Sequence, residues 1–174
     1  QVFELLQTLA SVKCFLLLPY IDMKLTVELF ELLLSSVKRE HFDSRVAEMM
    51  LQVMVDLVCE LDEFPDDILR MIFARLLEHD ENPEAYQLAK HLVTRCASKL
   101  ESPIREFLLE ALGADSNSDT SSDVVTARPF DLVFQIFVIA PDLLLHVMPV
   151  LERDLTAEVN TTRQAVVQVM CKMV

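Results

Sequence analysis

Apolar side chains recur at steps of three and four along five separate stretches of this chain, and the stretches begin about every forty residues. The cleanest runs Val46, Met49, Met50, Val53, Met54, Leu57, Val58 and Leu61. The same template fits Ala85, Leu88, Ala89, Leu92, Val93, Cys96, Ala97 and Leu100, and again Thr162, Ala165, Val166, Val169, Met170, Met173 and Val174. A copy at the amino terminus runs Val2, Leu5, Leu6, Leu9, Ala10, Cys14 and Leu17, broken only by Lys13, and a weaker one runs Thr126, Phe130, Val133, Phe134, Phe137 and Val138. The starts at 2, 46, 85, 126 and 162 lie 36 to 44 residues apart. Spacing of this kind puts each set on one face of an α-helix. A short helix cannot hide such a face by itself, so units repeating at this period bury it by stacking on one another.

Between these single-stripe helices lies a second set that is apolar on more than one side. Residues 25–37 carry Leu25, Val27, Leu29, Phe30, Leu32, Leu33, Leu34 and Val37; residues 67–77 carry Ile68, Leu69, Met71, Ile72, Phe73, Leu76 and Leu77. Shorter versions occupy 103–112 and 142–155. A helix apolar over more than one stripe needs cover on more than one side. Asp43, Asn82 and Asn160 stand where N-caps are wanted, and Pro83 and Pro103 follow Asn82 and Ser102 as first helical residues. Pro19, Pro65 and Pro141 fall between helices, while Pro149 interrupts the 142–155 pattern and predicts a kink there. The loops are short except at 113–125, a polar insertion expected to be flexible. Pattern and punctuation together predict an all-α fold, an α–α superhelix (HEAT-repeat solenoid) of antiparallel helix pairs. About four repeats would form a single segment over 1–174, a fragment of a longer protein.

Composition narrows the function. With one glycine, Gly113, in 174 residues, the chain lacks the residue that most cheaply makes positive-φ turns, which argues against a sheet-rich fold and rules out a glycine-rich phosphate loop. The 28 acidic residues outnumber the 15 basic ones, for a net charge of −13. Such a surface repels phosphate backbones, so direct nucleic-acid binding by this segment is not expected. Cys14, Cys59, Cys96 and Cys171 are widely spaced, with no CxxC pair, as suits small hydrophobes in a reducing compartment. From Leu132 to Leu151 only Asp142 and His146 are ionisable. A central Asp costs about 3 kcal/mol in a membrane span, and Pro141-Asp142 reads as a break. Two buried helices are expected there, and no membrane span.

Catalytic and metal chemistry find little purchase. His41 and His79 fall at helix ends, while His91 and His146 fall inside helices with no Cys or carboxylate pair arranged for metal. No cofactor is implied and no enzyme is expected, although a catalytic triad is spatial and need not leave a sequence signature. The acidic runs Glu60–Asp67 and Glu78–Glu84 sit at inter-helix turns, where solvated charge is ordinary; a docking face for a basic peptide is the alternative. Acidic residues three positions after Ser116 and Thr120 also fit acidophilic kinases, but a plain disordered linker is the leading reading of that loop. The methionines are expected to fill gaps in the core, with a Met-rich binding surface as the second reading. A solenoid usually meets its partners along a polar ridge. On the single-stripe helices the residues opposite the core are Arg45, Glu48, Gln52, Asp56, Gln87, Lys90, His91, Arg95, Arg163, Gln164, Gln168 and Lys172. These are the candidate partner-facing residues.

Particular strings add a resemblance. They are, in order, Leu9-Ala10-Ser11-Val12-Lys13, Asn82-Pro83-x-Ala85-Tyr86-x-Leu88-Ala89, Cys96-Ala97-x-Lys99-Leu100-Glu101, Ile139-Ala140-Pro141-Asp142-Leu143-Leu144-Leu145 and Val147-x-Pro149-x-Leu151-Glu152. In that order and spacing they resemble the amino-terminal HEAT repeats of the cohesin-associated family named for precocious dissociation of sisters. The resemblance implies a nuclear, chromosome-associated regulator of sister chromatid cohesion. Such a protein binds cohesin's kleisin subunit and engages the cohesin release factor and its antagonists through short peptide motifs. No binding residue of the family is carried over to a position here, and the loop at 113–125 departs from the family pattern. A HEAT scaffold of another system, nuclear transport or phosphatase assembly, is the alternative.

Overall fold

A computed structural model of the chain describes residues 23–36, 44–61, 64–113, 128–156 and 160–174. The described residues contain α-helices and one short 3-10 helix, and no strand. The chain divides into two compact units, Gln1–Leu100 and Glu101–Val174. The stripe at 2–17, Cys14, Asp43 and His41 lie outside the described residues, as does the insertion beyond Gly113.

The first unit holds α1 (Met23–Ser36), α2 (Ser44–Glu60), α3 (Asp66–Leu77) and α4 (Pro83–Arg95). Helices α3 and α4 pair across the turn at Glu78–Asn82; α1 packs on both, and α2 packs on α4. The stripe of α2 is the core stripe expected of it: Met50, Val53, Met54, Leu57 and Val58 are enclosed. They meet Ala85, Leu88, Ala89, Leu92 and Val93 from α4, with Ile68, Leu69, Ile72, Phe73 and Leu76 from α3 in the same core. Each Val, Leu, Ile, Met or Phe side chain among these contributes about 1.5–3 kcal/mol by leaving water. The start of α4 is fixed locally. Asn82 Oδ1 accepts the Ala85 N–H at 3.2 Å, and Pro83, whose missing N–H would have been an orphan, is its first residue. At the start of α3 the Pro65 carbonyl accepts from Ile68 and Leu69, and Asp66 and Asp67 complement the positive end of the helix dipole.

Two expectations change in this unit. Helix α1 is not covered all round among the described residues: Phe30, Leu33 and Leu34 are enclosed, but Leu25 and Leu32 are 45% and 66% exposed. The stripe 85–100 is apolar throughout but is not one helix. Helix α4 ends at Arg95, Cys96 caps it with its N–H on the Leu92 carbonyl at 2.9 Å, and a new helix starts at Ala97.

The unit boundary falls within α5 (Ala97–Gly113). The second unit continues with α6 (Pro129–Ile139), the 3-10 turn Pro141–Leu144, α7 (Met148–Leu155) and α8 (Asn160–Met173). Helix α8 packs on α6 and α7, and the 3-10 turn folds against α6. Its buried apolar residues include Ile104, Leu108, Leu132, Val133, Ile136, Leu143, Leu144, Val147, Leu151, Val166 and Val169.

Several expectations are corrected here. Pro103 lies inside α5 and does not open a helix. The 142–155 pattern is not one kinked helix but a 3-10 turn, a bend and α7, with Pro149 at its amino-terminal end where no intrahelical N–H is needed. His146 therefore sits in a turn and not within a helix. Asn160 is the first residue of α8, one position inside its expected cap. In α6 the enclosed face is Leu132, Val133 and Ile136, whereas Phe130, Phe134 and Phe137 are half-buried and Val138 is 49% exposed. The expected break at Pro141 is present, and no described helix is long and apolar enough to cross a membrane.

Candidate partner-binding ridge

Burying the stripes of α2 and α4 against the core turns their opposite faces outward. On α2, Arg45 and Glu48 are exposed, while Gln52 is half-buried and donates from Nε2 to Asp56 Oδ1 at 2.9 Å. On α4, Gln87, His91 and Arg95 are exposed and Lys90 is half-buried. The two helices meet through a long-range contact: Arg95 Nη2 donates to Glu48 Oε1 at 2.8 Å. The α2 and α4 candidates thus form one surface across two packed helices. An exposed pair of this kind adds only about 0.2–1 kcal/mol to stability, so its effect is chiefly to fix where the Arg95 guanidinium stands.

On α8, Arg163, Gln164, Gln168 and Lys172 are all exposed. Lys172 leans back over α6, its Nζ 5.5 Å from the centre of the Phe134 ring, a cation–π geometry that also shields part of the half-buried aromatic face. These four belong to the second unit and form a surface of their own.

The groups most suited to chemistry are dispersed. His79 lies 3.1 Å from Asp80 and its ring is tilted against Tyr86. His146 Nε2 is 4.0 Å from Glu101 Oε1, both exposed. Among the described residues no cluster of His, Cys, Asp and Glu could hold a metal ion. Among the three described cysteines the expectation of burial is met by Cys96 alone; Cys59 and Cys171 are exposed. Burial, with Cys59 close by, pushes the Cys96 thiol from an ordinary 9.0 up to about 12, which makes it an inert core group. Sequence reasoning missed two polar features. Asp154, nearly enclosed, accepts from Nε and Nη2 of its neighbour Arg153 at 3.1 Å, and Lys99 is exposed at the start of α5 just past the α4 ridge. The first has no signature, because adjacent charges are common. The second carries one, since Ala85–Leu100 contains Lys90, Arg95 and Lys99 and no acidic residue.

The family model for the sister chromatid cohesion protein PDS5 matches residues 1–174. The chain belongs to the PDS5 family. This PDS5-family chain is 33% identical over 177 residues to the sister chromatid cohesion protein PDS5 homolog A of Gallus gallus and 32% identical to that of Homo sapiens, matching 98% of its own length and 13% of theirs. It is likewise 32% identical to PDS5 homolog B-A of Xenopus laevis, of which it covers 12%. The chain therefore spans about an eighth of the relatives it matches. A solved chain from the Pds5–Scc1 complex superposes with a TM-score of 0.76 over 98% of this chain and 28% of its own length, at 18% identity. The likeness shows the fold: the all-α helical-repeat class, the HEAT-type α–α superhelix, expected from the stripes.

Proposed function

We propose that this PDS5-family chain is a non-enzymatic binding segment of a cohesin regulator, using its polar ridges to hold the kleisin subunit and so to govern sister chromatid cohesion. The observation that carries the reading is the match of the PDS5 family model to the whole chain. The fold neighbour was solved with Scc1, a kleisin, and helical-repeat proteins commonly order a partner segment along one face. The ridge residues in this reading are Arg45, Glu48, Gln52, Gln87, Lys90, His91 and Arg95 in the first unit, and Arg163, Gln164, Gln168 and Lys172 in the second. The same reading includes short peptide motifs of the cohesin release factor and its antagonists as further partners. It also includes a nuclear, chromosome-associated location, with the protein part of a longer chain.

The test is capture on the immobilised chain of a purified kleisin fragment, beside a nuclear-transport cargo and a phosphatase catalytic subunit. Retention of the kleisin alone is expected. Retention of either competitor without the kleisin would overturn the reading in favour of a HEAT scaffold of that other system.

A further inference from the structure

The first-unit ridge carries a charge opposite to that of the chain as a whole. Net charge is −13, yet from Ala85 to Leu100 there is no Asp or Glu, while Lys90, Arg95 and Lys99 are basic and His91 stands between them. Helical geometry puts Gln87, His91 and Thr94 along the middle of the outward face of α4, with Lys90 and Arg95 flanking them; Lys99 follows where Cys96 hands the chain to α5. Two acidic groups of α2 beside this strip are already engaged, while Glu84 stands exposed in the first turn of α4. Glu48 accepts from Arg95 and Asp56 accepts from Gln52. Lys90 and Lys99, by contrast, form no ion pair with any described residue. Arg95 lies in the last turn of α4, where a cation offsets the helix dipole. That role gives no reason for Lys90, in the middle of the helix, or for Lys99 beyond its end. Glu48 further demonstrates that a carboxylate fits against the Arg95 guanidinium from the ridge side.

We infer that the α4 ridge is a docking strip for an acidic segment of the kleisin, whose carboxylates pair with Lys90 and Lys99 and compete with Glu48 for Arg95. This rests on the kleisin-binding reading above and gives its partner segment a chemistry. Complementary charge selects register and excludes wrong partners, and here it also opposes the general repulsion that an acidic chain exerts on an acidic ligand.

The experiment measures kleisin-fragment affinity by titration calorimetry for the chain, for K90E/R95E/K99E, for K90Q/K99Q and for E48Q. Circular dichroism melts check that each variant is folded. The charge-reversed variant is expected to bind about tenfold or more weakly and K90Q/K99Q about threefold more weakly, while E48Q, which releases Arg95, binds about twofold more tightly. The kleisin peptide that retains binding on truncation is expected to be net acidic. If the chain binds the kleisin and both lysine variants bind it within twofold of the original, the acidic-strip inference is overturned and the kleisin reading stands. If the unaltered chain does not bind the kleisin, both fall.

Discussion

Single residues divide sharply by face. Val53 and Leu92 are fully enclosed, and an aspartate in either place would be a buried charge with no partner, costing several kcal/mol. Val53→Asp and Leu92→Asp are therefore expected to abolish the cooperative melt. Gln168 is exposed and Gln52 makes one part-buried bond to Asp56, so their replacement by alanine should move stability by about 0.5 kcal/mol. Thermal melts of the four variants check the assignment; equal effects would mean that the faces are wrongly assigned. Cys96 gives a prediction about pH. Its thiol stays protonated in the folded chain up to about 12, against an ordinary 9.0, so above pH 9 the unfolded chain releases a proton that the folded one keeps. Stability contributed by the neutral thiol is complete below pH 9 and is lost as pH rises toward 12. Denaturant titrations from pH 8 to 11 should show this decline, and Cys96→Val should flatten it. Alkylation at pH 8 should label Cys59 and Cys171 while sparing Cys96 until the chain unfolds.

At the scale of elements, the sequence was most informative where local and long-range signals agree. Helix α4 was legible because its stripe, the Asn82 cap and Pro83 all name the same start. Asn82→Ala is expected to cost about 1 kcal/mol and Asn82→Asp much less, since aspartate can still accept the Ala85 N–H; chemical denaturation measures both. The break at Cys96 was hidden because Cys96, Ala97 and Leu100 continue the apolar register across it, and periodicity records side-chain phase but not backbone continuity. Pro103 misled for a related reason. Ser102-Pro103 is a good helix opening, but Ala97 already starts α5, and the proline is carried in the interior. There it leaves the Lys99 carbonyl without its helical donor, so Pro103→Ala should raise stability, by up to about 3 kcal/mol. Pro149→Ala, at the start of α7, should change little. In α6 nearly every residue is apolar, so the stripe had no polar side to fix its phase, and Leu132 and Ile136 went unrecognised as core.

For the whole molecule, the class of fold followed from repetition, because five stripes at one period leave few ways to bury them. The ridge followed only by subtraction, as the faces left over once the core is assigned. What the sequence could not supply was which leftover residues meet each other. The Glu48–Arg95 contact spans 47 positions and joins helices whose packing only the folded chain sets. The acid-free run from Ala85 to Leu100 was visible throughout, yet its meaning depended on seeing Glu48 and Asp56 of α2 already engaged. A strongly acidic chain and a local docking strip for an acidic ligand are compatible, because charge acts locally once salt screens it beyond about 8–10 Å.

The most direct test of the central claim is hydrogen–deuterium exchange on the chain with and without a saturating kleisin fragment. The account predicts slowed exchange in α2 and α4 of the first unit and along α8 of the second, with α3 unchanged. Protection confined to α3, or no protected segment at all despite saturation, would contradict it.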